Sequence, residues 1–202
     1  MNIYEQLLDN SYNNIINNIE EISKSSNMKK ILITSCTEKE DKSEFVLKLG
    51  KMLASKANKK VLIVDYLENY SGKNSNEYLQ STINKTTEDE PDILKFSGVS
   101  MILQNNDIYN EMDSQIAILQ SEYDYILIES YSINNKKYND LLTCMCDGLI
   151  FLVGYNKVSI NKIKEAKEVF MRCGINVLGV VFNNVDLIKP RLRKKRFRRI
   201  NK

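Results

Sequence analysis

The chain has 202 residues, 43% of them apolar and 27% charged, with 7 glycines, 2 prolines and no histidine. That length suits one domain with a real core, and the apolar fraction excludes a compositionally disordered chain. Scarce glycine and proline argue against an all-β sandwich, while the lack of histidine removes imidazole acid–base catalysis and most transition-metal sites.

The net charge of +3 is unevenly placed. Arg191 to Lys202, "RLRKKRFRRINK", holds eight basic residues and no acid, which leaves −5 on residues 1–190. No apolar run approaches the ~20 residues needed to cross a bilayer. The start, "MNIYEQLLDN", has neither the basic nor the apolar segment of a secretory leader. Cys36, Cys144, Cys146 and Cys173 lack zinc-finger spacing and are expected to be reduced thiols, most of them buried, in a cytoplasmic protein.

In chain order, residues 3–23 place Leu8, Tyr12, Ile15, Ile16, Ile19 and Ile22 at helical spacing, so residues 1–27 are expected to hold an N-terminal helix. "KKILITS" is a short buried strand. A helix from Lys42, "KSEFVLKLGKMLASKA", puts Phe45, Val46, Leu49, Met52 and Leu53 on one face, and Gly50 would let it approach the sheet closely. "KKVLIVD" is a second strand. Residues 67–95 read as polar and irregular, with a short helix near Glu77–Gln80. "GVSMILQ" is a candidate strand and Ile108–Tyr123 a candidate helix. "YDYILIES" and "DGLIFLVG" are strands, followed by a helix from Ser159 to Cys173 closed by Gly174. "NVLGVVFNN" is the last strand.

Continuous apolar strands separated by helices predict an α/β fold, a mostly parallel sheet with helices on both faces. Residues 1–190 would form this domain and 191–202 a basic tail. Ligands of such sheets bind beyond the carboxyl ends of the strands. The segments to inspect are therefore Cys36–Ser43, Asp65–Asn69, Glu129–Ser132, Gly154–Lys157 and Asn183–Asp186.

"ILITSCTEKEDKSEF", Ile31 to Phe45, has the architecture of a phosphate-binding loop: an apolar strand, a polar turn, and Lys-Ser heading a helix. Together the strand ends resemble the bacterial tyrosine kinases (BY-kinases) of capsule and exopolysaccharide synthesis. These belong to a wider P-loop NTPase group that includes plasmid-partition and cell-division positioning ATPases. Against the family's T-S-S-x-P-G-E-G-K-S/T, Thr34, Ser35, Thr37, Glu40, Lys42 and Ser43 fit, whereas Glu38, Lys39 and Asp41 replace Pro, Gly and Gly. "VLIVDYLEN" keeps Asp65 but has Leu67 at the second acid. "YDYILIESYS" has Glu129 for the Walker B Asp and Ser130–Tyr131–Ser132 for T-P-P. "CDGLIFLVGYNKVS" and "NVLGVVFNNVD" resemble two further family segments. "SYNNIINNI" resembles an oligomerisation helix, with Asn13 and Ile16 in place of its two arginines.

The resemblance implies a nucleotide site at Lys42, Ser43, Asp65 and Asn183, and Mg²⁺ ligands at Ser43, Asp65 and Glu129; no catalytic residue is assigned. Each has an ordinary alternative. Lys42 would pair with Asp41 or Glu40, Ser43 would sit in a first helical turn, Asp65 would be a solvated or capping carboxylate, and Asn183 would cap a turn.

A working loop converges its backbone N–H groups on a phosphate, which needs glycine conformations and close approach. Lys39 and Asp41 obstruct both. Glu38 and Glu40 can point outward, so Asp41 is expected to be the acid that crowds the phosphate; like charges ~4 Å apart cost ~4 kcal/mol at an effective dielectric of ~20. The extra methylene of Glu129 displaces its carboxylate by about 1.5 Å, a bond-length estimate, which argues against catalysis there.

The expected protein is a degenerate BY-kinase-like scaffold or pseudokinase, with ATP and Mg²⁺ bound weakly or not at all. It would work at the inner face of a membrane, with a homo-oligomer as one form. Its basic tail, Arg191–Lys202, would meet a membrane adaptor protein or an anionic membrane surface, with nucleic acid a weaker candidate. The alternative is an active positioning ATPase recruited to membrane or DNA by that tail. Such ATPases carry an extra lysine where this chain has Thr37. An active form would be an ATPase or a protein-tyrosine kinase.

Overall fold

The computed structural model describes residues 3–37, 40–65, 80–97, 106–133, 142–154 and 158–183. Its elements are α1 (Ile3–Ser26), β1 (Lys30–Ser35), α2 (Lys42–Ala57), β2 (Val61–Asp65), β3 (Gln80–Asn84), β4 (Asp92–Ser97), α3 (Asn106–Leu119), β5 (Tyr125–Glu129), β6 (Gly148–Gly154), α4 (Ile160–Arg172) and β7 (Asn176–Asn183). The strands form one sheet in the order β3-β4-β2-β5-β1-β6-β7. Every neighbouring pair is parallel except β3–β4. This is the mostly parallel α/β sheet that the apolar runs predict.

The sheet separates two apolar layers. On one face α1 contributes Tyr12, Ile16 and Ile19, and α2 contributes Phe45, Val46, Leu49, Met52 and Leu53. Tyr12 stacks on Phe45 with ring centroids 5.5 Å apart. On the other face Met112 and Ile116 of α3 and Ala166 and Phe170 of α4 pack on alternate residues of the same strands. Ile31, Leu32 and Ile33 of β1 are fully buried because successive side chains enter opposite layers. Among the described residues no helix is long and apolar enough to cross a membrane.

Two aspartates fix the starts of the central strands. The Asp147 carboxylate accepts the backbone N–H groups of Lys29 at 2.9 Å and Lys30 at 2.7 Å. Asp124 accepts that of Lys60 at 2.8 Å. Each lies just before its own strand, so one side chain fixes the register of two neighbours.

The structure differs from the sequence reading in three places. Residues 67–95 are not irregular throughout: they contain β3 and most of β4, and Gln80 opens a strand instead of ending a helix. The segment "DILKFS" follows Pro91 and contains a lysine, which hid it, yet Leu94 and Phe96 are buried at alternate positions while Lys95 lies on the other face. Helix α3 ends at Leu119, short of Tyr123. Tyr123 instead donates its hydroxyl to Asp92 at 2.7 Å and accepts a hydrogen bond from Lys85 at 2.6 Å, tying the antiparallel edge to β5. Finally, most cysteines are not buried: Cys36 is, Cys146 is half-buried, and Cys144 and Cys173 are exposed. The candidate strand at 98–104, most of the helix near Glu77–Gln80 and the tail at 191–202 lie outside the described residues.

Gly50 makes the close approach that its place in α2 suggests. A Cβ there would lie 3.0 Å from Ile63 Cδ1 and 3.3 Å from Pro91. Gly50→Leu should therefore lower stability by about 1–3 kcal/mol through overpacking, read as a lower urea midpoint at unchanged slope.

Candidate functional site

Strand β1 ends at Ser35 and α2 begins at Lys42, and the turn between them brings an acid inward. Glu40 is 3% exposed. One carboxylate oxygen accepts the Thr37 backbone N–H at 3.0 Å and the Thr37 hydroxyl at 2.6 Å. The other accepts the backbone N–H of Gly154, at the end of β6, at 3.2 Å. Three donors satisfy this buried charge and join the ends of two adjacent strands. The expectation that Glu40 turns outward and Asp41 crowds the site is thus corrected. Asp41 is exposed, and its side chain makes no capping hydrogen bond.

Asp41 instead shapes the backbone. Its φ of −73° and ψ of 70° are those of an inverse γ-turn, and the Lys42 N–H donates to the Glu40 carbonyl at 2.7 Å. The turn is made without a left-handed residue at Asp41. The Lys42 side chain is also buried, at 3% exposed, and its Nζ donates to Ser35 Oγ at 3.1 Å. Ser35 Oγ in turn donates to the Thr37 carbonyl at 2.6 Å. Ser35, the last residue of β1, fits the family loop in sequence but was given no role there; its bond to Lys42 supplies one.

The other candidates meet at the start of α2. The Ser43 hydroxyl donates to Glu129 Oε1 at 2.7 Å. Asp65 is the register partner of Glu129 across the β2–β5 ladder, so both acids lie on the α2 side of the sheet. Ser43, next to Lys42 in the chain, is thus bonded to Glu129, whose neighbour across the ladder is Asp65. Among the described residues no group of three or more His, Cys, Asp or Glu converges as a metal cage. Asn183 is separate: it pairs in register with Gly154 at the end of β7, two strands from β1.

The segment after β5 is laced onto β1. Ser130 N–H donates to the Ile33 carbonyl at 3.0 Å, Ile133 N–H to that of Ser35 at 2.9 Å, and the Thr34 hydroxyl to that of Tyr131 at 2.7 Å. Cys36 is buried in the apolar layer against which Tyr131 and Ile133 pack. Burial, with the Glu40 charge adding to it and Lys162 opposing it, pushes its thiol up to about 11. A cavity of about 610 Å³ at the opposite end of the sheet, lined by Lys59, Lys60, Lys85 and Asp92 among others, contains none of these candidates.

The fold is that of the P-loop ATPases. In both sequence and structure the chain is similar to bacterial tyrosine kinases. Tyrosine-protein kinase CpsD of Streptococcus agalactiae is 26% identical over 84 residues, 42% of this chain and 35% of that protein. The match thus spans about a third of the curated relative's length. The VpsO kinase domain superposes with a TM-score of 0.66 at 18% identity, covering 91% of this chain and 98% of that one. A ParA-family ATPase from Chlorobium tepidum TLS gives 0.55 at 13% identity, covering 80% and 76%. No family model matches the chain.

Two measurements test the geometry. Glu40→Ala removes the acceptor of two backbone N–H groups and should lower unfolding free energy by about 1–3 kcal/mol, with Glu40→Gln losing less because it keeps one acceptor oxygen. At pH 8, iodoacetamide should modify exposed Cys144 and Cys173 and spare Cys36, whose raised pKa keeps it a thiol; peptide mass mapping reads the order.

Proposed function

We propose that this chain is a non-catalytic, BY-kinase-like P-loop protein whose nucleotide site is impaired or lost, and that it acts by contact with other proteins. The observation that carries this reading is the turn before α2, where Lys39 and Asp41 stand in place of the family pattern's glycines, while Glu40, which fits that pattern, has its buried carboxylate bound to the backbone N–H groups of Thr37 and Gly154. Two features support it. The Lys42 N–H is held by the Glu40 carbonyl. No glycine occurs between Cys36 and Ser43 to free the other amides.

The cation half of the site fits better than the phosphate half. Ser43, Asp65 and Glu129 offer the hard oxygen donors that suit Mg²⁺, which when bound would neutralise phosphate charge. The hydroxyl of Ser43 is engaged by Glu129.

The BY-kinase likeness makes a membrane-associated assembly, such as one for capsular or extracellular polysaccharide, the favoured setting. Arg191–Lys202 would supply attraction to a membrane adaptor or anionic surface, at ~1 kcal/mol per basic residue near lipid.

Calorimetric titration with Mg-ATP tests the reading. The expected result is no saturable heat up to millimolar nucleotide, identical for the native chain and Lys42→Ala. Micromolar binding that Lys42→Ala abolishes would overturn it, as would steady release of phosphate from ATP by the purified chain.

A further inference from the structure

Helix α4 carries a second stripe besides the one it buries. Ala166 and Phe170 face the core. At 3.6 residues per turn, Ile160, Lys164, Lys167 and Met171 share a stripe roughly a third of a turn away. Ile160 is 70% exposed and Met171 63%, with exposed Lys164 and Lys167 between them. The two apolar side chains thus stand about 17 Å apart along the helix, with the cations in the gap. The charge of Lys162 reaches Cys36 at the end of β1, so that flank faces the centre of the sheet and the stripe lies on the β7 side. Val180 of β7 is the register partner of Phe151, which places it on the face that α4 covers; it is 43% exposed.

The stripe is basic. Among the described residues neither Lys164 nor Lys167 makes an ion pair. Of the helix acids, Glu168 borders the stripe and Glu165 lies farther round. Gly154, six residues before Ile160, is the register partner of Asn183, so α4 begins near the end of the sheet where β7 stops. The chain runs on from β7 to Arg191–Lys202, where eight basic residues and no acid accompany Phe197 and Ile200. Cations with isolated apolar side chains therefore occur twice, on α4 and in the segment that follows β7.

We propose that the Ile160–Met171 stripe of α4 lies against an anionic lipid surface, with Lys164 and Lys167 at the lipid headgroup charges and Ile160, Met171 and Val180 entering the headgroup layer. The apolar side chains leave water at that depth, and each basic residue near the surface strengthens partitioning about fivefold. Other occupants match less of the stripe. Nucleic acid would meet the lysines through its phosphates and leave Ile160 and Met171 in water. A second copy docked stripe to stripe would set lysine against lysine. A protein partner would need one acidic surface shaped for α4 and another for Arg191–Lys202, whereas a bilayer offers a single charged plane to both.

The inference rests on the membrane setting proposed above and deepens it by placing a contact on the folded domain. The two fail separately, because the tail alone would hold the chain to a bilayer. The test is sedimentation of the full chain with phosphatidylcholine vesicles, with and without phosphatidylserine. The chain has no tryptophan. Met171→Trp therefore introduces a single fluorescent reporter, and Leu47→Trp places one on the exposed side of α2, across the sheet from α4.

Binding that requires phosphatidylserine is expected. Lys164→Glu/Lys167→Glu should weaken it about tenfold or more, as should Ile160→Gln/Met171→Gln, while Glu168→Lys should tighten it about fivefold or more, with each melting temperature checked against the native chain. Brominated lipid should quench Met171→Trp and spare Leu47→Trp. Binding weakened by Arg193→Glu/Lys194→Glu/Lys195→Glu but by neither α4 variant would overturn the α4 contact and leave the membrane setting standing. No binding to either vesicle would remove both. Equal quenching of the two tryptophan reporters, or of neither, would also overturn the contact. So would a charge reversal on α4 that leaves vesicle binding unchanged and instead weakens binding of duplex DNA, of polyglutamate or of a second copy.

Discussion

The buried carboxylate of Glu40 joins the ends of β1 and β6, and the arrangement around the turn depends on that bridge. β1 is hydrogen-bonded on both sides and covered on both faces. A charge placed in so crowded a turn must find donors locally or destabilise the fold. Glu40 finds three, two of them backbone amides. Their service to Glu40 fixes the direction of the peptide at Asp41, which delivers the Lys42 N–H to the Glu40 carbonyl. The turn is thus closed by its own side chain and its own backbone.

Beside it, a longer acid has found a different partner. Glu129 stands at the end of β5, where the family pattern has an aspartate. The additional methylene carries the carboxylate to Ser43, whose hydroxyl donates to it at 2.7 Å. That bond ties the first turn of α2 to the sheet. Lys42 is anchored to Ser35 on the same side, so α2 enters the fold with two successive residues fixed to neighbouring strands. Both contacts serve the fold whether or not a ligand binds, so the residues of such a motif have a structural role of their own.

Much of the fold was legible from periodicity. The strands of the sheet centre are uninterrupted apolar runs, and α2 shows its buried face at Phe45, Val46, Leu49, Met52 and Leu53 without ambiguity. What was hidden lies at the antiparallel edge. There Leu94 and Phe96 are buried on one face only, and a half-buried strand of six residues containing Lys95 carries a weak signal. At the site, the resemblance pointed to Lys42, Ser43, Asp65 and Glu129; register pairs Asp65 with Glu129, and hydrogen bonds join Ser43 to Glu129 and Lys42 to Ser35. The direction of Glu40 was not legible. It depends on Gly154, more than a hundred residues away, and no local pattern reports such a partner. Cysteine burial failed for the same reason: Cys173 follows the last turn of α4, where exposure is decided by what packs beside it and not by neighbouring residues.

Two carboxylates at the starts of the central strands join segments far apart in the chain: Asp147 holds the N–H groups of Lys29 and Lys30, and Asp124 that of Lys60. Each closure costs loop entropy before the contacts on either side repay it. The centre of this sheet therefore forms late, and the chain folds more slowly than a helical bundle of equal length.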